Sequence, residues 1–225
     1  MALNNVSLNK LLKMLPRPLS ARQAIIRRDA ADAVLKEKKI EDDDGGDFYG
    51  AFWADAKEFV LRGGDFTQLL KRRIRAGPSK RRLYPMLLEG FFRWYESNFS
   101  GSAPAQRKEI VKAFGKCSTL TPSGSVRVHG LLAWEEPDGS TNIVYPYFDK
   151  DYALSPRTAR LGRGAMAKAL ADHDPVDMTI LDVLRGVAYD NDNCALRGDE
   201  EGLLADRYVQ FLSEWETQKR LLRRS

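Results

Sequence analysis

The stretch HGLLAWEEPDGSTNIVYPYFDK, His129 to Lys150, holds two apolar runs rich in branched and aromatic residues, joined by Pro137-Asp138-Gly139-Ser140. Runs of this kind on either side of an Asp-Gly turn predict a β-hairpin. The spacing around it predicts strands over 110–119, 126–134 and 142–148, a three-stranded antiparallel meander. Downstream, Ser155-Pro156 supplies an N-cap and a first-turn proline for a helix through Ala171. A strand is expected over 178–189. A last helix, about Glu200 to Leu222, lines up Leu204, Tyr208, Phe211, Leu212 and Trp215 and ends in cations that suit a helix C-terminus.

Upstream of the hairpin the periodicity changes from two to 3.6. Ser20 can cap a helix carrying Ile26, Ala30, Ala33 and Val34, which ends at the acidic run Glu41 to Asp47. Asp47 can cap a second helix with Phe48, Phe52, Phe59 and Val60 on one face, stopped by Gly63-Gly64. A third runs from Asp65 through Phe66, Leu69, Leu70 and Ile74 to a break at Gly77-Pro78. Pro85 is expected near the start of a fourth, whose face is Leu88, Phe91, Phe92, Tyr95 and Phe99. The expected fold class is therefore α+β. A helical region over 1–84 packs on an α-β-β-β-α-β core with a C-terminal helix over 85–225.

Composition narrows the class. With 43% hydrophobic residues in 225, the chain can bury a full core, while no apolar run approaches the roughly 20 residues a membrane helix needs. No membrane partner is expected, and the first twenty residues do not read as a signal peptide. Cys117 and Cys194 lie far apart and His129 and His173 are the only histidines, which excludes a disulfide framework and a zinc site built mainly from His and Cys. A reducing, cytoplasmic setting fits. No G-x-S-x-G, G-x-x-x-x-G-K-[ST] or post-strand G-x-G-x-x-G is present, so hydrolase and nucleotide-binding classes have no motif behind them.

The element order from Pro85, with LLEGFFRWYE on the entry helix, HGLLAW on the second strand and IVYPYF on the third, resembles the PD-(D/E)XK, or restriction-endonuclease-like, nucleases of the RecB-like branch. In such enzymes a second-strand Asp and a third-strand acid hold a divalent metal, a Lys two residues on helps activate water, and the preceding helix often adds a Glu. The resemblance places the helix Glu at Glu89 but puts Ala133 where the Asp belongs, and Tyr145 and Tyr147, flanking Pro146, where the acid and Lys belong. The catalytic motif is degenerate. A shifted set, Glu89, Glu135 or Glu136, Asp149 and Lys150, is the alternative, with Mg²⁺ as its cofactor; otherwise no cofactor is expected.

KRRIRAGPSKRR, Lys71 to Arg82, packs seven cations into twelve residues with no acid. The net charge of +5 and pI near 9.2 become informative through this clustering. Lys71, Arg72, Arg73, Arg75, Lys80, Arg81 and Arg82 can neutralise phosphates in a salt-sensitive, sequence-blind contact with DNA or RNA. They also read as a solvated helix end, or as a partner for the acidic run Glu41 to Asp47. Arg157, Arg160, Arg163 and Lys168 present the same choice: a phosphate at a helix start, or long side chains lying along the sheet edge and reaching water. Tyr145, Tyr147, Phe148 and Tyr152 read as core before base-stacking surface, and Trp53, Trp94, Trp134 and Trp215 as core. Asp190, Asp192 and Asp199 lack the calcium-loop pattern and read as a solvated loop.

Three functions are expected in order: a nucleic-acid-associated protein with a non-catalytic nuclease-like core; a metal-dependent nuclease with displaced residues; and a protein-interaction or regulatory subunit.

Overall fold

The computed structural model describes residues 3–37, 48–76, 80–99, 106–110, 116–122 and 124–224. The acidic run, the Asp47 cap and the Gly77-Pro78 break lie outside them.

The N-terminal segment, for which no strand is expected, forms β1 (Asn5–Ser7) and α1 (Leu8–Met14). The Ser7 hydroxyl caps α1 by accepting the Lys10 N–H at 3.4 Å. Four helices follow: α2 (Leu19–Glu37), α3 (Phe48–Arg62), α4 (Phe66–Ala76) and α5 (Lys80–Asn98). Asp65 caps α4 through the Gln68 N–H at 2.8 Å. Pro85 lies inside α5, a turn later than expected, because the helix already begins at Lys80.

The expected three-stranded meander is instead divided between two sheets, as β2 (Lys108–Glu109), β3 (Lys116–Thr121), β4 (Gly124–Val128), β5 (Leu132–Glu135) and β6 (Thr141–Tyr147); residues 111–115 of the strand expected over 110–119 lie outside the described residues. The single strand expected over 126–134 is bent between β4 and β5. Gly130 there has φ 77°, a conformation in which a side chain is strained. The bend lets one stretch serve two sheets, β1-β4-β3 and β2-β5-β6-β7-β8. After β6 come α6 (Pro156–Ala169), β7 (Met178–Asp182), β8 (Val187–Tyr189) and α7 (Glu200–Leu222). β6 and β7 pair in parallel across the α6 crossover, Tyr147 opposite Asp182. The strand expected over 178–189 is thus a hairpin, β7 against β8, turning at Gly186 with φ 63°.

Strand alternation sends side chains to opposite faces. Leu131, Ala133, Ile143 and Tyr145 join a core with α1, α2, α6 and α7, while Leu132, Trp134, Val144 and Phe148 join one with α3, α4 and α5. The helices of the first 84 residues therefore cover both faces. The second core is aromatic: Phe66 meets Phe91 at 5.2 Å and Phe59 meets Tyr95 at 4.9 Å between ring centroids. Each such pair adds about 1 kcal/mol beyond its buried area. All four tryptophans are buried, as the apolar pattern predicts. Among the described residues no helix is long and apolar enough to cross a membrane.

Candidate functional site

The basic strip falls on α4 and the start of α5. Phe66 and Leu70 are buried on the inner face of α4, which leaves Lys71, Arg72 and Arg75 exposed on its outer face; Arg82 is exposed on α5. Arg72 donates to its own helix, to Gln68 Oε1 at 3.1 Å. Arg73 differs from the other described cations of the strip. Its guanidinium grips Asp55 on α3 with both arms, Nη2 to Oδ1 at 2.8 Å, so it ties α4 to α3 rather than facing solvent freely. The side chains of Lys80 and Arg81 lie outside the described residues. Among those residues no carboxylate pairs with Lys71, Arg75 or Arg82. The flanking cations are neutralised: Arg62 by Glu58 at 2.8 Å and Arg93 by Glu89 at 3.0 Å.

The shifted catalytic set is dispersed over separate ion pairs. Glu89 stands exposed on α5 against Arg93, and Glu135 ends β5 facing Lys108 at 3.5 Å. Lys150 is exposed, whereas Asp149 is buried after β6. Glu136 receives the Trp134 indole N–H at 2.7 Å. Among the described residues no three His, Cys, Asp or Glu side chains gather as a metal would require. The strand positions that the nuclease resemblance assigns to the acids and the Lys are core: Ala133, Tyr145 and Tyr147 are all buried. The Tyr145 hydroxyl accepts the Asn9 N–H at 2.7 Å, and that of Tyr147 donates to the Tyr152 carbonyl at 3.1 Å. Burial pushes both phenols up from their ordinary values.

Asp149 belongs to a charge cluster at the C-terminal ends of the parallel strands β6 and β7. Its Oδ1 accepts the N–H groups of Asp151 and Tyr152 at 2.9 and 3.2 Å, and Arg17 Nη1 lies 2.6 Å from Oδ2. Asp182, 1% exposed at the end of β7, accepts the Leu154 N–H at 3.0 Å and faces Arg185 Nη1 at 3.1 Å. Arg185 also donates to the Asp149 carbonyl at 2.9 Å, which links the two strand ends. Sequence reasoning finds Asp149 but misses Arg17, Asp182 and Arg185. The available signal is an Asp at the close of an apolar strand, followed three residues later by an Arg.

The two carboxyls respond oppositely to this setting. For Asp149, burial pushes upward, but the hydrogen bonds and charge of Arg17 and the two N–H groups outweigh it and hold the carboxyl low. For Asp182, burial wins over Leu154 and Arg185, and the carboxyl is raised. A depressed carboxyl contributes stability that is present above the unfolded pKa, about 3.9, and lost as pH falls through the folded value. A raised one contributes stability below the unfolded pKa that is lost as pH rises through the folded value. Asp149→Asn should therefore lower the urea midpoint at pH 6 and flatten its decline below about pH 4 relative to wild type. An unchanged acid limb would contradict the ion pair.

On α6, Ser155 Oγ caps the helix by accepting the Thr158 N–H at 3.2 Å. The expectation that the basic side chains lie along the sheet edge and reach water fails at two positions. Arg163 is 1% exposed and donates to the carbonyls of Met178 at 2.9 Å, Pro175 at 2.8 Å and Cys194. Arg160 is held by Asp199 at 2.5 Å and by Glu200. Arg157 is exposed. Asp190 turns its Oδ1 to the N–H groups of Asp192 and Asn193 at 3.0 and 3.2 Å, organising its own loop. Tyr145, Tyr147 and Phe148 are core, with Tyr49 stacked on Phe148 at 4.8 Å.

No protein-family model, curated protein or solved structure matches the chain.

Proposed function

We propose that the chain binds nucleic acid through the exposed cations of α4 and α5, largely without regard to sequence, on a nuclease-like core whose metal-ligand positions are occupied by packing residues. The observation that carries this reading is the single-sign face: Lys71, Arg72, Arg75 and Arg82 point outward from a helix pair in which α4 carries no acid. A row of unpaired cations gains most by exchanging condensed counterions for phosphates, and that gain is indifferent to base identity. Arg73, gripped by Asp55, contributes by fixing α4 rather than by contacting phosphate. The nuclease-like reading draws support from the order α5, antiparallel strands, α6 and the parallel return β7. Burial of Ala133, Tyr145 and Tyr147 supports a binding role over cleavage.

Fluorescence anisotropy with two unrelated 20-base-pair duplexes and one single strand tests it. The two duplexes should bind with affinities within about threefold of one another. Lys71→Gln/Arg75→Gln/Arg82→Gln should weaken all three roughly 100-fold at low salt. Supercoiled plasmid incubated with Mg²⁺ should remain uncut. Co-purification of a stoichiometric protein partner in the absence of any nucleic-acid affinity would instead favour an interaction subunit.

A further inference from the structure

The loop from Asp190 to Asp199 has no regular secondary structure, yet side-chain and backbone contacts tie it to the helices beside it. Glu200, buried at the start of α7, accepts the N–H groups of Arg197 at 2.8 Å and Gly198 at 3.0 Å and also pairs with Arg160 of α6. Such close approach requires Gly164 on α6, where a Cβ would stand 2.5 Å from that of Glu200. At the other end, the Cys194 thiol reaches the Pro156 carbonyl at 3.2 Å, and the buried Arg163 donates to the Cys194 carbonyl. An ordered irregular segment fastened at several points to a rigid scaffold is where binding sites are commonly carried.

Between this loop and the first turns of α6 lies an open cleft of about 620 Å³, lined by Arg157, Arg160 and Arg197 together with Asp192 and Asp199. A second cleft of about 500 Å³ adjoins it and shares Arg157, adding Arg207 and Asp206. With the buried Glu200 behind Arg160 the formal charges balance, but the pairing is uneven. Asp199 is committed to Arg160, and Arg157 and Arg197 have no carboxylate partner among the described residues. Two unpaired guanidiniums therefore face one cleft whose backbone is already fixed, beside the positive end of a 14-residue helix.

We propose that this cleft is a phosphomonoester site, in which Arg157 and Arg197 clamp a dianionic phosphate and Arg160, held by Asp199 and Glu200, sets the floor. Two guanidiniums suit a terminal phosphate better than a bridging one, since it offers them three free oxygens and two negative charges rather than two oxygens and one. The site is independent of the α4–α5 face. Its ligand is either the phosphorylated end of a strand or a small phosphorylated molecule.

Isothermal titration calorimetry distinguishes these sources. The probes are inorganic phosphate and a thymidine trinucleotide with a 5′-phosphate or a 5′-hydroxyl, titrated into wild type and Arg157→Gln/Arg197→Gln. Both arginines are exposed, so the double variant should keep the wild-type thermal midpoint. Inorganic phosphate should bind saturably at one site and at least tenfold more weakly to the variant. A tenfold preference for the phosphorylated trinucleotide would identify a strand end. Equal affinity for the two trinucleotides, with arginine-dependent phosphate binding retained, would identify a small molecule. No saturable phosphate binding, or binding unmoved by the double substitution, overturns the proposal.

Discussion

Arg163→Ala is expected to cost about 4 kcal/mol of stability, the largest effect of any single truncation proposed for this chain. The side chain is 1% exposed and its three guanidinium nitrogens donate to three backbone carbonyls, from the end of the crossover (Pro175), from β7 (Met178) and from the loop before α7 (Cys194). Truncation removes a donor from each acceptor and leaves a void as well; the Pro175 carbonyl keeps the Met178 N–H, so the Met178 and Cys194 carbonyls carry most of the loss, at about 1 kcal/mol or more each. Because the Cys194 carbonyl lies in a different segment from those of Pro175 and Met178, no small backbone shift can re-pair all three together. Arg163→Lys keeps the charge but loses the planar fork, and should recover only about half of the loss. Urea midpoints at constant slope measure both. A loss below about 1 kcal/mol for the alanine variant would mean that water replaces the guanidinium.

Gly90→Ala should cost about 3 kcal/mol, against the sign that helix propensity alone predicts. Position 90 lies mid-helix in α5, where alanine is ordinarily favoured over glycine by about 1 kcal/mol. Here a Cβ would stand 2.2 Å from the Val183 carbonyl oxygen and 2.5 Å from that of Leu184, both backbone atoms that cannot rotate aside. The contact is mutual: at Gly186, with φ 63°, a Cβ would stand 2.4 Å from the Gly90 carbonyl oxygen. Gly202 on α7 is the control. Nothing lies within 4 Å of a Cβ there, so Gly202→Ala should stabilise by up to about 1 kcal/mol. Thermal or urea unfolding of the two variants separates packing from propensity, and a stabilised Gly90→Ala would contradict the seating of α5 on the β7–β8 turn.

The local architecture was largely legible in the sequence, because helix and strand periodicities are written by which side chains must be buried. The stripes Phe66/Leu70 and Phe211/Leu212/Trp215, the Asp138-Gly139 turn and the Ser155-Pro156 cap all act through near neighbours. What was illegible depends on distant partners. β1 is three residues long and exists because β4 offers it an edge, with Val6 opposite Val126. The bend at Gly130 and the return at Gly186 are single-residue events inside apolar runs that read as continuous strands.

The site was legible only as charge. Density marked Lys71 to Arg82, but sequence cannot say that Arg73 is committed to Asp55 while Lys71 and Arg75 remain open. Likewise Arg157, Arg160 and Arg163 look alike along the helix, and only the loop packed beside them sorts them into exposed, paired and buried. The nuclease resemblance rests on element order. Its chemistry fails at Ala133, Tyr145 and Tyr147, which the sequence already showed to be unsuited to holding a metal.

The most direct test of the proposed function is the salt dependence of duplex binding by wild type and by Lys71→Gln/Arg75→Gln/Arg82→Gln. For wild type, log K should fall linearly with log salt, at close to 0.9 for each phosphate neutralised, and the triple variant should lower the magnitude of that slope by about 3. Identical slopes for the two proteins, or wild-type binding that does not change with salt, would contradict the assignment of the α4–α5 face to nucleic acid.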